Sequence, residues 1–519
     1  MKIAWIAHRF LKPVTIRVII ALLAIILLKG SYEVFLRLFY EIQGPYTGDS
    51  TIYWAVGRGI LNGLTPYTDL FETKPPGIFL LSAMSIALTG GPMLGTVIQT
   101  LIIGAVPISL GIFFWFDTRG KKLEARTFLT TLAVLFGMLL TLFLAERSGE
   151  FQVESFGAFF AIVYVLAIAW RRERWHINDA WIPAGCLLLA IGLKEPFFFS
   201  LLGSALILHD AKRPMLRLFI LPFVIAAFVG IHLLVALGFW SAFMDTYLPI
   251  MLGRHIENYG PLWVRGFAFR RVFDDLNGFA QPLGYLMTLL LAVAMVATHS
   301  WRKTYVQASL RLVSIPIGLY LIVMGVGLGG EFWNHHFAIA IPGYVALFIL
   351  TMRAMERWNI PARLLYITTA TMIGIAIFLV PRHYQDRLEF LLPDARTAKT
   401  EAMMIDTILD RCAIERYLFL GSNGPQAYGY TRHSPEGPFF ATFGPPLDYM
   451  FSVEQPELRS SFLRTLSKAR LAVVDQYLLG DLTEYTKSYV AEHFTETPWE
   501  CAKPALRDSR YRILFRKEQ

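Results

Sequence analysis

The residues of this chain that are best suited to chemistry lie in one polar segment, Gly48 to Gly77, between apolar runs. Asp49 opens a helical pattern, because Ile52, Val56 and Ile60 recur at four-residue spacing. An aspartate at this point can cap the helix by accepting hydrogen bonds from free backbone N–H groups. It can also act as a general base. The two roles are compatible.

The same segment ends with an acid, a lysine and two prolines. Glu72 and Lys74 precede Pro75 and Pro76, which stop any helix and keep the chain extended. Lys74 is therefore expected to be held in one place at its end of the segment. A lysine there can bind a lipid phosphate as a point charge, or it can simply mark the membrane boundary by snorkelling.

Further ionisable residues interrupt the apolar runs. Glu150 and Glu154 are four apart and share a face if their helix begins early enough. Lys194 and Glu195 sit at a break between two apolar runs, where they could serve a site or neutralise each other. Charges at such positions are costly unless they are used, paired or solvated.

The second half of the chain adds histidines and a basic residue. Arg254 and His255 are followed by Glu257 in one polar segment, and His335 and His336 open a later apolar run. Histidine with glutamate suggests a metal pair, but neither segment contains an H-x-x-H or H-E-x-x-H spacing. We expect no tightly bound metal, and the candidate ligands for a loosely held divalent ion are Glu72 and His255.

The composition indicates the elements that must position these residues. The 519-residue chain is 55% hydrophobic and only 17% charged, which indicates a polytopic α-helical membrane protein. Eleven transmembrane helices are predicted, near 18–30, 93–116, 127–145, 155–170, 180–193, 196–209, 217–239, 283–299, 312–328, 337–352 and 364–381. The basic clusters fall in alternate loops, which predicts a cytoplasmic N-terminus and an extracytoplasmic C-terminus.

One apolar segment is too short to be a span. Ile78 to Leu88 has eleven residues, whereas a spanning helix needs about 20. We interpret it as an interfacial or re-entrant helix within a first outer loop, residues 31–92. With this topology nearly all of the candidate residues fall on the outer face.

The last part of the chain has a different character. Residues 1–381 form the membrane domain, whereas residues 382–519 hold 18 basic and 19 acidic residues and short apolar runs near 416–421, 469–475 and 511–516. Strands alternating with amphipathic helices predict a small extracytoplasmic α/β domain. Cys412 and Cys501 both lie in it and are either disulfide-bonded or free thiols. The chain has no nucleotide-binding glycine motif and no basic stripe for nucleic acid.

These features resemble the GT-C superfamily of polytopic glycosyltransferases. The resemblance rests on Asp49 after the first span, on Glu72-Thr-Lys74-Pro-Pro, on acids in the second outer loop, on the lysine at the 194 break and on Asn334-His-His-Phe337. The nearest branches are the bacterial relatives of protein O-mannosyltransferases and of aminoarabinose transferases. It covers about residues 31–353 and is strongest near 45–80 and 331–350.

The resemblance implies an activity and site roles. A bacterial inner-membrane enzyme would transfer a sugar from a polyprenyl monophosphate to a glycan, lipid or protein acceptor at the periplasmic face, with inversion and without a required cofactor. Asp49 would be the base, and Lys74 would bind the phosphate with Lys194 or Arg254. His255 matches a histidine of the aminoarabinose branch. The chain departs from many members in having Ser50 after the aspartate.

Two points stay open in the sequence. The acid of the second loop is either Glu150 or Glu154. A transporter or flippase for a lipid-linked saccharide would also need cations for a phosphate, but it would more often show repeated halves and polar residues at mid-membrane.

Overall fold

The protein was analysed as a computed structural model. It describes residues 24–32, 49–147, 151–170, 176–210, 214–252, 261–268, 305–329, 334–355, 383–420, 426–437, 456–475, 484–507 and 511–517, together with residues 21, 35, 36, 332, 373 and 509. Within these ranges the chain is mostly helical, with a small sheet near its end.

Ten helices precede the C-terminal region in the described part of the chain, apart from short turns and fragments. They are α1 (Asp49–Leu61), α2 (Pro76–Thr89), α3 (Met93–Asp117), α4 (Leu123–Arg147), α5 (Val153–Ala169), α6 (Trp181–Leu193), α7 (Phe197–Leu208), α8 (Leu221–Ala236), α9 (Tyr305–Val326) and α10 (Ile341–Met355).

Four of the described segments are long and apolar enough to cross a membrane: Met93–Asp117, Ala125–Ala145, Leu216–Ala236 and His335–Arg353. Shorter apolar helices lie at α2, α5, Ile177–Leu193, α7 and Leu312–Val326. The prediction of a polytopic helical membrane protein is confirmed at this level. Helix α2 matches the segment that was too short to span, and its interfacial placement stays a prediction, as does the count of eleven spans.

The helices pack closely where glycines meet backbone. A Cβ on Gly203 of α7 would lie 2.4 Å from the carbonyl oxygen of Gly318 on α9, and a Cβ on Gly318 would lie 2.6 Å from that of Gly203. Small residues allow membrane helices to approach at this distance, where van der Waals contact supplies the stabilisation. This contact therefore fixes the distance between α7 and α9.

The C-terminal region is an α/β unit. It contains α11 (His383–Arg411), β1 (Arg416–Leu420), β2 (Ser434–Pro435), α12 (Pro456–Lys468), β3 (Leu471–Asp475), α13 (Glu484–His493), β4 (Phe494–Thr495) and β5 (Tyr511–Arg516). The strand order is β2-β1-β3-β5-β4. β1 is parallel to β2 and β3, and β5 is antiparallel to β3 and β4.

The three longer strands coincide with the runs predicted from the sequence, because each is an apolar stretch bounded by polar residues. The two-residue strands β2 and β4 carry no such signal. Cys412, just after α11, is disulfide-bonded to Cys501, with 89 residues of sequence separation. The bond ties the long helix to the end of the sheet.

This unit packs directly on α1. Asn62 Nδ2, just beyond α1, donates a hydrogen bond to Ser434 Oγ at 2.8 Å. The backbone of Gly437 lies so close to the carbonyl oxygen of Asp69 that no side chain would fit there. Residues of α1 and of the sheet share one apolar core, with Trp54 and Tyr417 both fully buried. The helix that begins at Asp49 is thus supported by the C-terminal sheet.

We predict that Gly203→Ala lowers the thermal stability of the detergent-purified protein, because the added methyl group collides with backbone. Overpacking of this kind costs about 1–3 kcal/mol. Gly185→Ala is the matched control, since it also lies on a membrane helix but has nothing within 4 Å of an added Cβ. Equal unfolding temperatures for the two variants would contradict the proposed tight crossing.

Candidate functional site

Six of the predicted residues converge in one recess between α1, α2, α5, α6 and the turn before α10. They form two groups, Asp49–Lys74–Glu72 and Glu154–Lys194–His335, and within each group ion-pair distances are 4.0 Å or less. The charged side chains of the second group also act electrostatically on Asp49. His336 lies beside His335 with ring centroids 4.5 Å apart. Glu150, Arg254 and His255 lie outside the described residues, so their predicted roles stay predictions.

Asp49 is the first residue of α1, and its carboxylate receives two partners on one oxygen. Lys74 Nζ lies 3.5 Å from Oδ2, and Tyr53 Oη donates to the same Oδ2 at 3.3 Å. Among the described residues no partner contacts Oδ1. The side chain is 37% exposed, so water reaches this carboxylate.

Burial alone would raise the pKa of Asp49, but the nearby side chains of Lys74, His335 and Lys194 outweigh it and hold the pKa below its usual range. Burial, reinforced by the charge of Asp49, raises the pKa of Tyr53 well above its ordinary value. Tyr53 therefore keeps its proton and donates, while Asp49 stays ionised. Asp49 is thus an anionic acceptor with one oxygen oriented and one oxygen available.

The position of Lys74 is fixed by a hydrogen bond to its backbone. Tyr67 Oη donates to the carbonyl oxygen of Lys74 at 2.8 Å. Tyr67 itself has φ 70°, a left-handed conformation that is unusual for a bulky residue, and it packs against Tyr247 with ring centroids 4.7 Å apart. Such strain persists only where surrounding contacts enforce it, and it concentrates at functional sites.

Glu154 and Lys194 form the tightest pair of the recess. Lys194 Nζ lies 2.6 Å from Glu154 Oε1, and the glutamate side chain is fully buried. Lys194 directly follows the last residue of α6 and has an extended backbone conformation. Its side chain contacts Glu154 at the start of α5. Among the described acids, Lys194 therefore pairs with Glu154 of the second outer loop and not with its neighbour Glu195.

Glycine contacts bring these helix ends together. A Cβ on Gly77, at the start of α2, would lie 2.4 Å from the carbonyl oxygen of Gly192 near the end of α6. A Cβ on Gly157 of α5 would lie 2.2 Å from Phe197 of α7. The first contact sets Lys74 beside Lys194, and the second sets Glu154 beside the α6–α7 break.

The start of α5 is fixed by a polar network that the sequence did not reveal. Phe151 has φ 65°, and its N–H donates to Gln99 Oε1 at 3.1 Å. Gln99 Nε2 donates to Ser155 Oγ at 2.6 Å. Trp54 of α1 stacks on Phe151 with centroids 4.1 Å apart. This network therefore holds Glu154 in register with the helix that carries Asp49.

Sequence reasoning also missed Tyr53 and Tyr67 as site residues. Tyr53 had a usable signal, because it follows Asp49 by four positions and so lies on the same helix face. Tyr67 had none, because its role depends on a turn conformation that the residue type disfavours. Burial raises the pKa of Glu195, the acid next to Lys194 at the helix break, to about 7.

The fold is shared with a solved structure, which agrees with the predicted resemblance at the level of the fold. That structure is ArnT from Cupriavidus metallidurans bound to undecaprenyl phosphate, and it matches with TM-score 0.53 and 13% sequence identity. The match covers 95% of this chain and 98% of that chain. No protein-family profile and no curated protein sequence matches the chain.

We predict that removing one partner of the Glu154–Lys194 pair destabilises the protein by about 3 kcal/mol or more, because it leaves an uncompensated buried charge. Glu154→Gln and Lys194→Met should each lower the unfolding temperature in detergent. The double variant should lose less unfolding free energy than the sum of the losses in the two single variants. Additive losses would show that the two side chains do not interact.

Proposed function

We propose that this protein is a membrane glycosyltransferase that moves a sugar from a polyprenyl monophosphate to an acceptor at the outer face of the bacterial inner membrane. The observation that carries the proposal is the presence of two acid–lysine pairs, Asp49 with Lys74 and Glu154 with Lys194. In the first pair the aspartate is ionised and one of its oxygens is available. The fold shared with ArnT, a protein solved with undecaprenyl phosphate bound, supports it.

The chemistry follows from the two kinds of charge. Asp49 Oδ1 accepts the proton of the acceptor's nucleophilic group as that group forms a bond to the anomeric carbon of the sugar. The bond from the anomeric carbon to the phosphate oxygen breaks, and the electron pair leaves with the lipid phosphate. Direct displacement inverts the anomeric centre.

The leaving phosphate requires positive charge that is already in place. Lys74 is held through its backbone by Tyr67, and Lys194 is held at the end of α6. Their ammonium groups therefore need little reorganisation when the donor enters. No nucleotide takes part in this donor, which agrees with the absence of a nucleotide-binding glycine motif in the sequence.

We predict that Asp49→Asn lowers transfer from a polyprenyl-phosphate sugar by about 10²- to 10⁴-fold, the range of a lost general base. Binding of undecaprenyl phosphate should be retained, because the two lysines remain. Transfer is measured with purified protein in detergent, and Glu484→Gln, at an 88% exposed acid of the C-terminal unit, is the control.

Wild-type transfer by Asp49→Asn would exclude Asp49 as the base. Movement of lipid-linked saccharide across liposomes by wild-type protein, without transfer to any acceptor, would instead favour a transporter.

A second prediction concerns pH. Asp49 acts when it is deprotonated. Burial raises its pKa, but the charge of Lys74 is the largest opposing effect and helps to hold the pKa below the ordinary range. The acid limb of the kcat/KM profile should therefore lie below the usual aspartate range in the wild type. Lys74→Gln removes an ammonium group and should shift that limb to higher pH, whereas Lys74→Arg should leave it in place. An unchanged limb in Lys74→Gln would contradict the assigned coupling.

A further inference from the structure

Three side chains of the recess present metal-binding atoms to one another. One ligand atom from each of Glu154, His335 and His336 lies within 4.8 Å of the other two. Glu154 Oε1 and His335 Nε2 are 4.0 Å apart. Two of the three residues are buried and His335 is 28% exposed. We propose that these three residues bind an exchangeable divalent transition-metal ion of the zinc type.

The donor set fits that ion. Two imidazole nitrogens and one carboxylate oxygen are ligands that zinc accepts, and three protein ligands leave a coordination position open. Ligand atoms of tetrahedral zinc lie about 3.4 Å from one another, so only a small inward movement of the side chains is needed. The His335–His336 turn comes before α10 and faces the start of α5, so the ion would join two separate parts of the bundle.

Glu154 has bonding capacity that its lysine partner does not use. Its carboxylate is fully buried, and Lys194 meets Oε1. Oε2 is also buried and receives no hydrogen bond from any residue in the described ranges. A buried carboxylate oxygen without a partner is costly. A cation beside His335 would approach Oε1, the oxygen that Lys194 also contacts, so the ion and the ammonium group would share this carboxylate.

The charge of the recess points in the same direction. Among the described residues, Lys74 pairs with both Asp49 and Glu72, and Lys194 pairs with Glu154, so three carboxylates are matched by two ammonium groups in these contacts. A phosphate that enters this recess adds further negative charge. A divalent ion held by neutral imidazoles would reverse that balance. This consequence for the donor rests on the proposed function, whereas the metal site itself rests on the three ligands.

This site differs from the one expected from the sequence. Glu72 and His255 were the candidate ligands there, and His255 lies outside the described residues. The proposed ligand set does not include Glu72. Its two histidines are adjacent in sequence, so they do not form a spacing motif such as H-x-x-H that would predict a metal site. Three protein ligands and a competing lysine agree with an ion that exchanges and is not permanently held.

The test is metal titration of full-length, metal-stripped protein in detergent. Zn²⁺ binding is followed by calorimetry, and Co²⁺ binding by its ligand-field absorption. We expect one saturable site in the wild type. Glu154→Gln and His335→Asn should each weaken binding at least about tenfold, in line with changes around metal sites. His335→Cys keeps a zinc ligand and should retain most of the affinity.

The controls separate ligand loss from misfolding and surface binding. His232→Asn changes an exposed histidine of α8 and should bind zinc as the wild type does. Thermal unfolding of each variant without metal shows whether it folds, and if Glu154→Gln does not, the two His335 variants still decide. No saturable site in the wild type, or equal affinity in His335→Asn and wild type, would overturn the proposal.

The outcome is separable from that of the proposed function. Zinc affinity is measured without donor or acceptor. Zinc binding that depends on His335, together with no transfer under any condition, would uphold the metal site and reject the transferase. Transfer without any zinc site would do the reverse. A third measurement, undecaprenyl phosphate binding with and without Zn²⁺, should show tighter binding with the ion in the wild type but not in His335→Asn.

Discussion

A carboxylate sealed from water at the start of an apolar helix is the constraint on which the rest of this site depends. Burying an ion costs several kcal/mol even after relaxation, and removing the partner of a buried pair leaves that cost uncompensated. Glu154 is therefore tolerated because Lys194 lies 2.6 Å away. Lys194 can reach it because it directly follows the end of α6, in an extended conformation, before Pro196 leads into the next helix. The pair thus requires the helix break, and the break brings an ammonium group into the recess.

Close contacts at two glycines, one with backbone and one with an aromatic ring, fix the helices that carry these residues relative to one another. Gly77 places the beginning of α2 on the end of α6, and Gly157 places α5 on α7. Because each contact lacks space for even a methyl group, the four helix ends cannot slide independently. The acids and lysines that they carry are consequently fixed relative to one another. Catalysis by charge stabilisation benefits from such fixed positions, since reorganisation at the moment of reaction is avoided.

Much of the fold could be predicted from the sequence because its signals are local. Apolar length indicates membrane helices, Pro75 and Pro76 indicate where α2 begins, and short apolar runs indicate β1, β3 and β5. The candidate site was partly predictable, because ionisable residues in apolar surroundings are rare and Asp49, Lys74 and Lys194 stand out. The partners were not, since Glu154 and Lys194 are 40 positions apart in sequence and Phe151 and Tyr67 adopt left-handed conformations that their types disfavour.

The C-terminal unit is connected to Asp49 through helix α1, and no sequence motif predicts this connection. Helix α1 has 13 residues, so it is a rod of about 20 Å. Asp49 is at one end, and Asn62, just past the other end, is hydrogen-bonded to Ser434. Between them, Trp54 stacks on Phe151 and so connects the rod to the start of α5. A displacement of the sheet against the membrane helices would therefore move Asp49, the proposed base, relative to Glu154 and Lys194. Since a misplacement of about 1 Å can cost two orders of magnitude in rate, the sheet is part of what holds Asp49 in place.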